Sequence, residues 1–123
     1  MVLGGDDASV PRVTSAFIER YEEHKDNFYS LPYVLYHIVA RSADGGEQFR
    51  VHRRYRNFVD LDAYFRMCRE YERVQIPILP EKEGIKRFLK SSDQSFLEER
   101  KNLLEIYLQE VLAQPVLSQD AQF

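Results

Sequence analysis

"RVHRRYRNF", residues 50–58, places Arg50, Arg53, Arg54 and Arg56 within seven positions of a chain whose net charge is −3. Immediately upstream the residues alternate. Phe49, Val51 and Arg53 fall on one face and Arg50, His52 and Arg54 on the other, the period of a strand over 47–54. Downstream, Phe58, Leu61, Phe65 and Cys68 recur at three- and four-residue spacing, the period of an amphipathic helix over about 57–73. The stretch is therefore a strand-to-helix corner. Arginines crowded at a rigid corner repel one another, and their planar forks suit the oxygens of an anion such as phosphate. The tyrosine between them, Tyr55, offers an apolar face for a sugar-like ring.

Working upstream, "YVLYHIVARS" (33–42) is rich in β-branched and aromatic residues, as strands are. "ADGGE" (43–47) reads as a hairpin turn, with Asp44-Gly45-Gly46 accepting positive φ. "RVTSAFIERYEEH" (12–24) carries apolar residues at 13, 17 and 18 with Tyr21 and is predicted to be the first strand, joined by the loop "HKDNFYSLP". Residues 1–11 read as a loose tail. Three antiparallel strands joined locally result.

Downstream, Pro77 and Pro80 in "VQIPILPEKEG" (74–84) exclude a regular helix and favour polyproline II geometry. "IKRFLKS" (85–91) suits a short helix, and Asp93 suits the N-cap of a long helix over 94–113 that Pro115 stops. "VLSQDAQF" begins another amphipathic turn, as a terminal helix cut short would. The predicted fold class is α+β: a three-stranded antiparallel sheet packed on a helical subdomain with a polyproline II loop, in one domain spanning 12–123.

Composition narrows the function. A chain of 123 residues with 44% hydrophobic and 30% charged residues suits one soluble domain. No apolar run approaches the ~20 residues of a membrane span. A single cysteine, Cys68, excludes an internal disulfide, suits a reducing, cytoplasmic setting, and falls on the apolar helix stripe as a small core residue. A pI near 5.6 argues against nucleic-acid binding. His24, His37 and His52 lack metal-ligand spacing, Gly45-Gly46 lacks the Lys-Ser/Thr of a nucleotide loop, and no nucleophile elbow is present. The reading is a non-enzyme without metal or cofactor.

In the long helix, Phe96, Leu97, Leu103, Leu104, Tyr107, Leu108 and Val111 cover one face, and Glu98, Glu99, Asn102, Glu105 and Gln109 the other. Arg100 falls among the apolar set. It either pairs with a buried carboxylate, lays its stem along the helix edge, or floors a polar pocket; alone, it leaves these open.

"RRYRNF" (53–58), "IPILPEK" (76–82) and "FLEERKNLLEIYL" (96–108), in that order and spacing, resemble the phox-homology (PX) domain of sorting nexins and oxidase regulators, over about residues 13–122. The resemblance implies a phosphoinositide-binding module whose common ligand is phosphatidylinositol 3-phosphate, peripheral on endosomal membranes, with trafficking proteins as further partners. It implies that Arg54 holds the 3-phosphate, Tyr55 lies under the inositol, Lys82 meets the 1-phosphate and Arg100 bonds the 4- and 5-hydroxyls. Arg56 sits where some members place a further phosphate contact. The loop "EKEGIKRFLK" departs from strongly inserting members, because Glu81 and Glu83 flank Lys82 and oppose an anionic surface. Ile85, Phe88 and Leu89 suit a membrane-inserting wedge, with packing beneath the loop as the other reading of Phe88 and Leu89. Lys86, Arg87 and Lys90 offset the glutamates. Three other functions stay open: a protein-interaction module using "PILP" (77–80) as an SH3-type ligand, a preference for another phosphoinositide served by Arg53 and Arg56, and, distantly, a small phosphotransfer enzyme.

Overall fold

The computed structural model describes residues 13–42, 48–80, 94–120 and 123. The tail, the hairpin turn at 43–47, the short helix expected at 85–91 and the Asp93 cap lie outside them. Strands β1 (Val13–His24), β2 (Tyr33–Ser42) and β3 (Gln48–Arg54) form one antiparallel sheet in the order β1-β2-β3. Helix α1 (Tyr55–Met67) leads to a 3-10 turn, Arg69–Tyr71, followed after the proline loop by α2 (Gln94–Leu112) and the single turn α3 (Pro115–Ser118).

β2 is the central strand, and its burial reflects that. Tyr36, Ile38 and Ala40 point into the core shared with the helices. On the opposite face Val39 lies in register between Phe17 and Arg50, and His37 between Arg20 and His52. Both are buried, so β2 does not show the simple in-out alternation of a half-exposed strand. The His37 ring packs on His52 with centroids 4.2 Å apart and bonds Glu22, and His24, His37 and His52 fall one on each strand.

The core is aromatic. Phe58, Phe65, Tyr36, Tyr71 and Tyr107 are buried with Leu104, Val111 and Leu117. Phe58 meets Tyr36 and Tyr107 edge-on at 6.3 and 6.5 Å, the geometry ring quadrupoles favour. Cys68 packs against this cluster.

Helix α1 departs from its predicted span. It begins at Tyr55, two residues early, and ends at Met67 because Cys68 turns extended (φ −77°, ψ 123°), giving the separate 3-10 turn. Three-four spacing alone did not register that break. The long helix ends at Leu112, and Pro115 opens the next turn at N1, where its missing N–H costs nothing.

The polar face assigned to α2 also needs correction. Glu105 Oε1 accepts the Ile18 N–H at 2.7 Å, and the Gln109 amide donates to the Ala16 carbonyl. Both side chains reach across to β1, while Leu103, placed on the apolar face, is 43% exposed. The cause is in β1, where register shifts at Thr14 and Glu19 mark bulges and its outer edge carries backbone groups without a strand partner. Helix side chains supply the partners.

Candidate functional site

The corner at residues 53–58 has no connecting segment: Arg54 closes β3 and Tyr55 opens α1. Arg54 is the N-cap in extended geometry (φ −95°, ψ 163°), and its backbone N–H donates to Asn57 Oδ1 at 2.8 Å. Asn57, at N3, thereby locks the strand exit, while Phe58 anchors the first turn in the core. The first turn of α1 contains no acidic residue. Exposed Arg53 and Arg56 flank it, so arginine charge adds to the positive end of the helix dipole.

Arg54 and Arg100 are both held on aromatic rings. The Arg54 guanidinium carbon lies 3.9 Å from the Tyr33 ring centroid. Arg100, from α2, lies 4.2 Å from that of Tyr55 and 5.1 Å from that of Phe96. Its influence extends to Tyr36, whose buried phenol oxygen accepts from its guanidinium. Burial pushes that phenol up to about 12, against the opposing pull of the Arg100 charge. Arg100 thus touches two rings and a phenol.

Tyr55 joins three segments. It begins α1, its ring carries Arg100, and its hydroxyl donates to the Pro80 carbonyl at 2.5 Å. The proline loop is held a second time through α1, where Arg66 donates from Nη2 to the Pro77 carbonyl at 2.9 Å and from Nε to Asp62 Oδ2 at 2.8 Å. Asp62 also accepts the Tyr107 hydroxyl at 2.9 Å and so ties α1 to α2. The loop therefore reaches Pro80 on a fixed path, and Lys82 follows two residues later in sequence. Lys82, Ile85, Phe88 and Leu89 lie outside the described residues.

Of the predicted site residues, the structure brings Tyr55 and Arg100 into contact, sets Arg54 at the preceding corner position, and leaves Arg56 exposed on the first turn. Two features escaped sequence reasoning. One is Tyr33 beneath Arg54. The other is the β1–β2 loop, where Phe28, Tyr29 and Leu31 are 82%, 91% and 82% exposed. That loop is built rather than slack: Asn27 Oδ1 accepts the N–H groups of Tyr29 and Ser30 at 2.8 and 3.0 Å, and Ser30 Oγ bonds back to Asn27. The signal was available, since three large apolar residues in a turn between strands are unusual. On the other flank of the corner an apolar cleft of about 220 Å³ is lined by Phe49, Val51, Arg53, Leu61 and Phe123 among others.

Three comparisons bear on this arrangement. The family model described as PX domain matches residues 41–123. Sorting nexin-4 of Eremothecium gossypii is 33% identical over 80% of this chain, and vacuolar protein sorting-associated protein vps5 of Schizosaccharomyces pombe 28% identical over 94%. The chain spans 25% and 20% of the lengths of those two proteins. Among solved structures, a designed CISK-PX domain superimposes with a TM-score of 0.71 at 31% identity, covering 88% of this chain and 92% of that one.

Proposed function

Because the chain belongs to the PX domain family of phosphoinositide-binding trafficking modules, we propose that its basic corner recognises phosphatidylinositol 3-phosphate and docks the protein peripherally on endosomal membranes, as a binding module and not as an enzyme. Arg54 takes the 3-phosphate, Tyr55 and Arg100 the inositol ring and its hydroxyls, Lys82 the 1-phosphate, and Arg56 any further phosphate. The observation that carries the reading is Tyr55, whose one side chain touches Arg100 and the end of the proline loop that leads to Lys82. Elements distant in sequence converge where such a headgroup would sit.

Membrane contact in this reading is shared between Ile85, Phe88 and Leu89 and the exposed Phe28, Tyr29 and Leu31, whose loop leads into Tyr33 beneath Arg54. No helix among the described residues is long and apolar enough to cross a membrane, in keeping with peripheral docking. The SH3-ligand alternative loses support because Pro77 is buried and its carbonyl is engaged by Arg66; a proline-rich ligand must expose its prolines.

The test is liposome sedimentation over the full set of phosphoinositides, with wild type and Arg54→Gln. Wild type is expected to pellet with phosphatidylinositol 3-phosphate vesicles. Arg54→Gln should lose that binding with an almost unchanged Tm, since the bond from the backbone of residue 54 to Asn57 survives and the side chain gives up a ring contact. Wild-type-like binding by the variant refutes the site. Pelleting with another phosphoinositide instead would keep the site and change the lipid.

A further inference from the structure

We infer that Tyr33 is the positioning residue of the anion site, holding the Arg54 guanidinium by its face so that its N–H edge stays available to a phosphate. The inference rests on the lipid-binding reading above and adds to it a residue that lies outside all three sequence motifs.

At 3.9 Å from the centroid, the guanidinium carbon is in van der Waals contact with the face of the ring. A guanidinium resting on its N–H edge would stand farther off. All five donors lie in the guanidinium plane and point outward from it, so a ring against the face restrains the side chain without using a donor. A carboxylate would restrain it too, but would occupy the fork and cancel the charge, and binding would first have to break that pair. Among the described residues no carboxylate lies within ion-pair distance of Arg54, although Arg50, Arg66 and Lys101 all have such partners. Arg54 is thus ordered while it keeps both its charge and its donors.

Tyr33 is itself fixed. Its hydroxyl donates to Asp26 Oδ1 at 2.8 Å, the same oxygen faces His24 Nε2 at 3.5 Å, and the His24 ring packs beside Tyr33 at 5.4 Å. The bond to Asp26 holds the phenol neutral above its usual range. Donation to a carboxylate also enriches the ring in electron density, which strengthens its attraction for a cation.

The experiment measures the affinity of soluble inositol 1,3-bisphosphate by calorimetry for wild type, Tyr33→Phe, Tyr33→Leu and Arg54→Gln, with the Tm of each. Tyr33→Phe keeps the ring and is expected to bind within twofold of wild type. Tyr33→Leu should bind about three- to fivefold more weakly, the worth of an exposed cation–π contact, at an unchanged Tm. In wild type the Arg54 side-chain protons should be shifted upfield by the ring current, a measurement that stands even where Tyr33→Leu fails to fold. Wild-type affinity in Tyr33→Leu, an equal loss in Tyr33→Phe, or unshifted Arg54 protons overturns the inference. If Arg54→Gln loses binding in that same series, the lipid reading survives the failure. Undiminished binding by Arg54→Gln sinks both.

Discussion

Replacing Arg100 by alanine separates a pocket arginine from a structural ion pair, and the contacts around it set the size of the effect. The substitution removes guanidinium contacts with Tyr55 and Phe96, about 0.5–1 kcal/mol each at a half-exposed site. It also strips the hydrogen-bond partner from the hydroxyl of Tyr36, a residue only 1% exposed; an orphaned buried hydroxyl costs about 1–3 kcal/mol. The sum is about 2–5 kcal/mol, which overlaps the roughly 3–5 kcal/mol expected for breaking a buried ion pair. A single variant therefore does not decide the matter, and a double-mutant cycle with Tyr36→Phe does. Without the Tyr36 hydroxyl, Arg100→Ala should cost less, by about the 1–3 kcal/mol of the orphaned hydroxyl. The assay is urea denaturation of the four proteins at constant m-value, with inositol 1,3-bisphosphate added to each. The headgroup should raise the stability of wild type and Tyr36→Phe, because a ligand that binds only the native state stabilises it, and should do far less for the two alanine variants. A cost of 3–5 kcal/mol for Arg100→Ala in the Tyr36→Phe background, with no headgroup effect on wild type, refutes the reasoning.

Asp62→Ala should destabilise by about 2–4 kcal/mol in the same denaturation assay, since it orphans the buried Tyr107 hydroxyl and releases Arg66; adding Tyr107→Phe should recover part of the loss. The phenols of Tyr36, Tyr64, Tyr71 and Tyr107 are all raised, Tyr36 to about 12, by burial and by bonds to Asp62, Asp120 and Cys68. Their folded pKa values lie above the unfolded value near 10, so the stability they contribute is complete below pH 10 and is lost as pH rises through 12. The part of the phenolate absorbance that belongs to these four should appear together with loss of near-UV dichroism rather than before it. At the acid end Glu19 and Glu22 are lowered by Arg50 and His37 respectively, so their contribution is present above the usual carboxylate range and falls away below it; thermal midpoints between pH 3 and 6 read this directly.

Much of the architecture was readable because its signals are local. Period two before Arg54 and period three-four after Phe58 announce the corner without help from the rest of the chain. Arg100 was conspicuous because a cation on an apolar stripe violates the pattern around it. What escaped depends on partners distant in sequence. Glu105 and Gln109 look like solvent-facing residues on a helical wheel, and only the outer margin of β1 gives them backbone to bond. The end of α1 was misjudged because the apolar spacing continues through Cys68 into Tyr71, across a break set by one extended residue. Tyr33 read as an ordinary strand aromatic, since its relation to Arg54 exists only once β2 and β3 pair.

The bonds from α2 to β1 give the fold a direction in time. Ile18 and Ala16 find their partners at sequence separations of 87 and 93. On a ribosome delivering residues from the N-terminus, β1, β2 and β3 emerge together and can pair early, yet the outer margin of β1 must stay wet until Gln109 has cleared the exit tunnel. Until then the nascent sheet presents a strand edge to any other extended chain nearby. The closing bonds span most of the polypeptide, and loop-closure entropy opposes them until the core gathered around Leu104 and Tyr107 can carry α2 into place. A chain stopped before residue 105 would hold three strands with one margin permanently open. Such a truncation should pair with copies of itself, whereas the 123-residue chain seals that margin with its own helix.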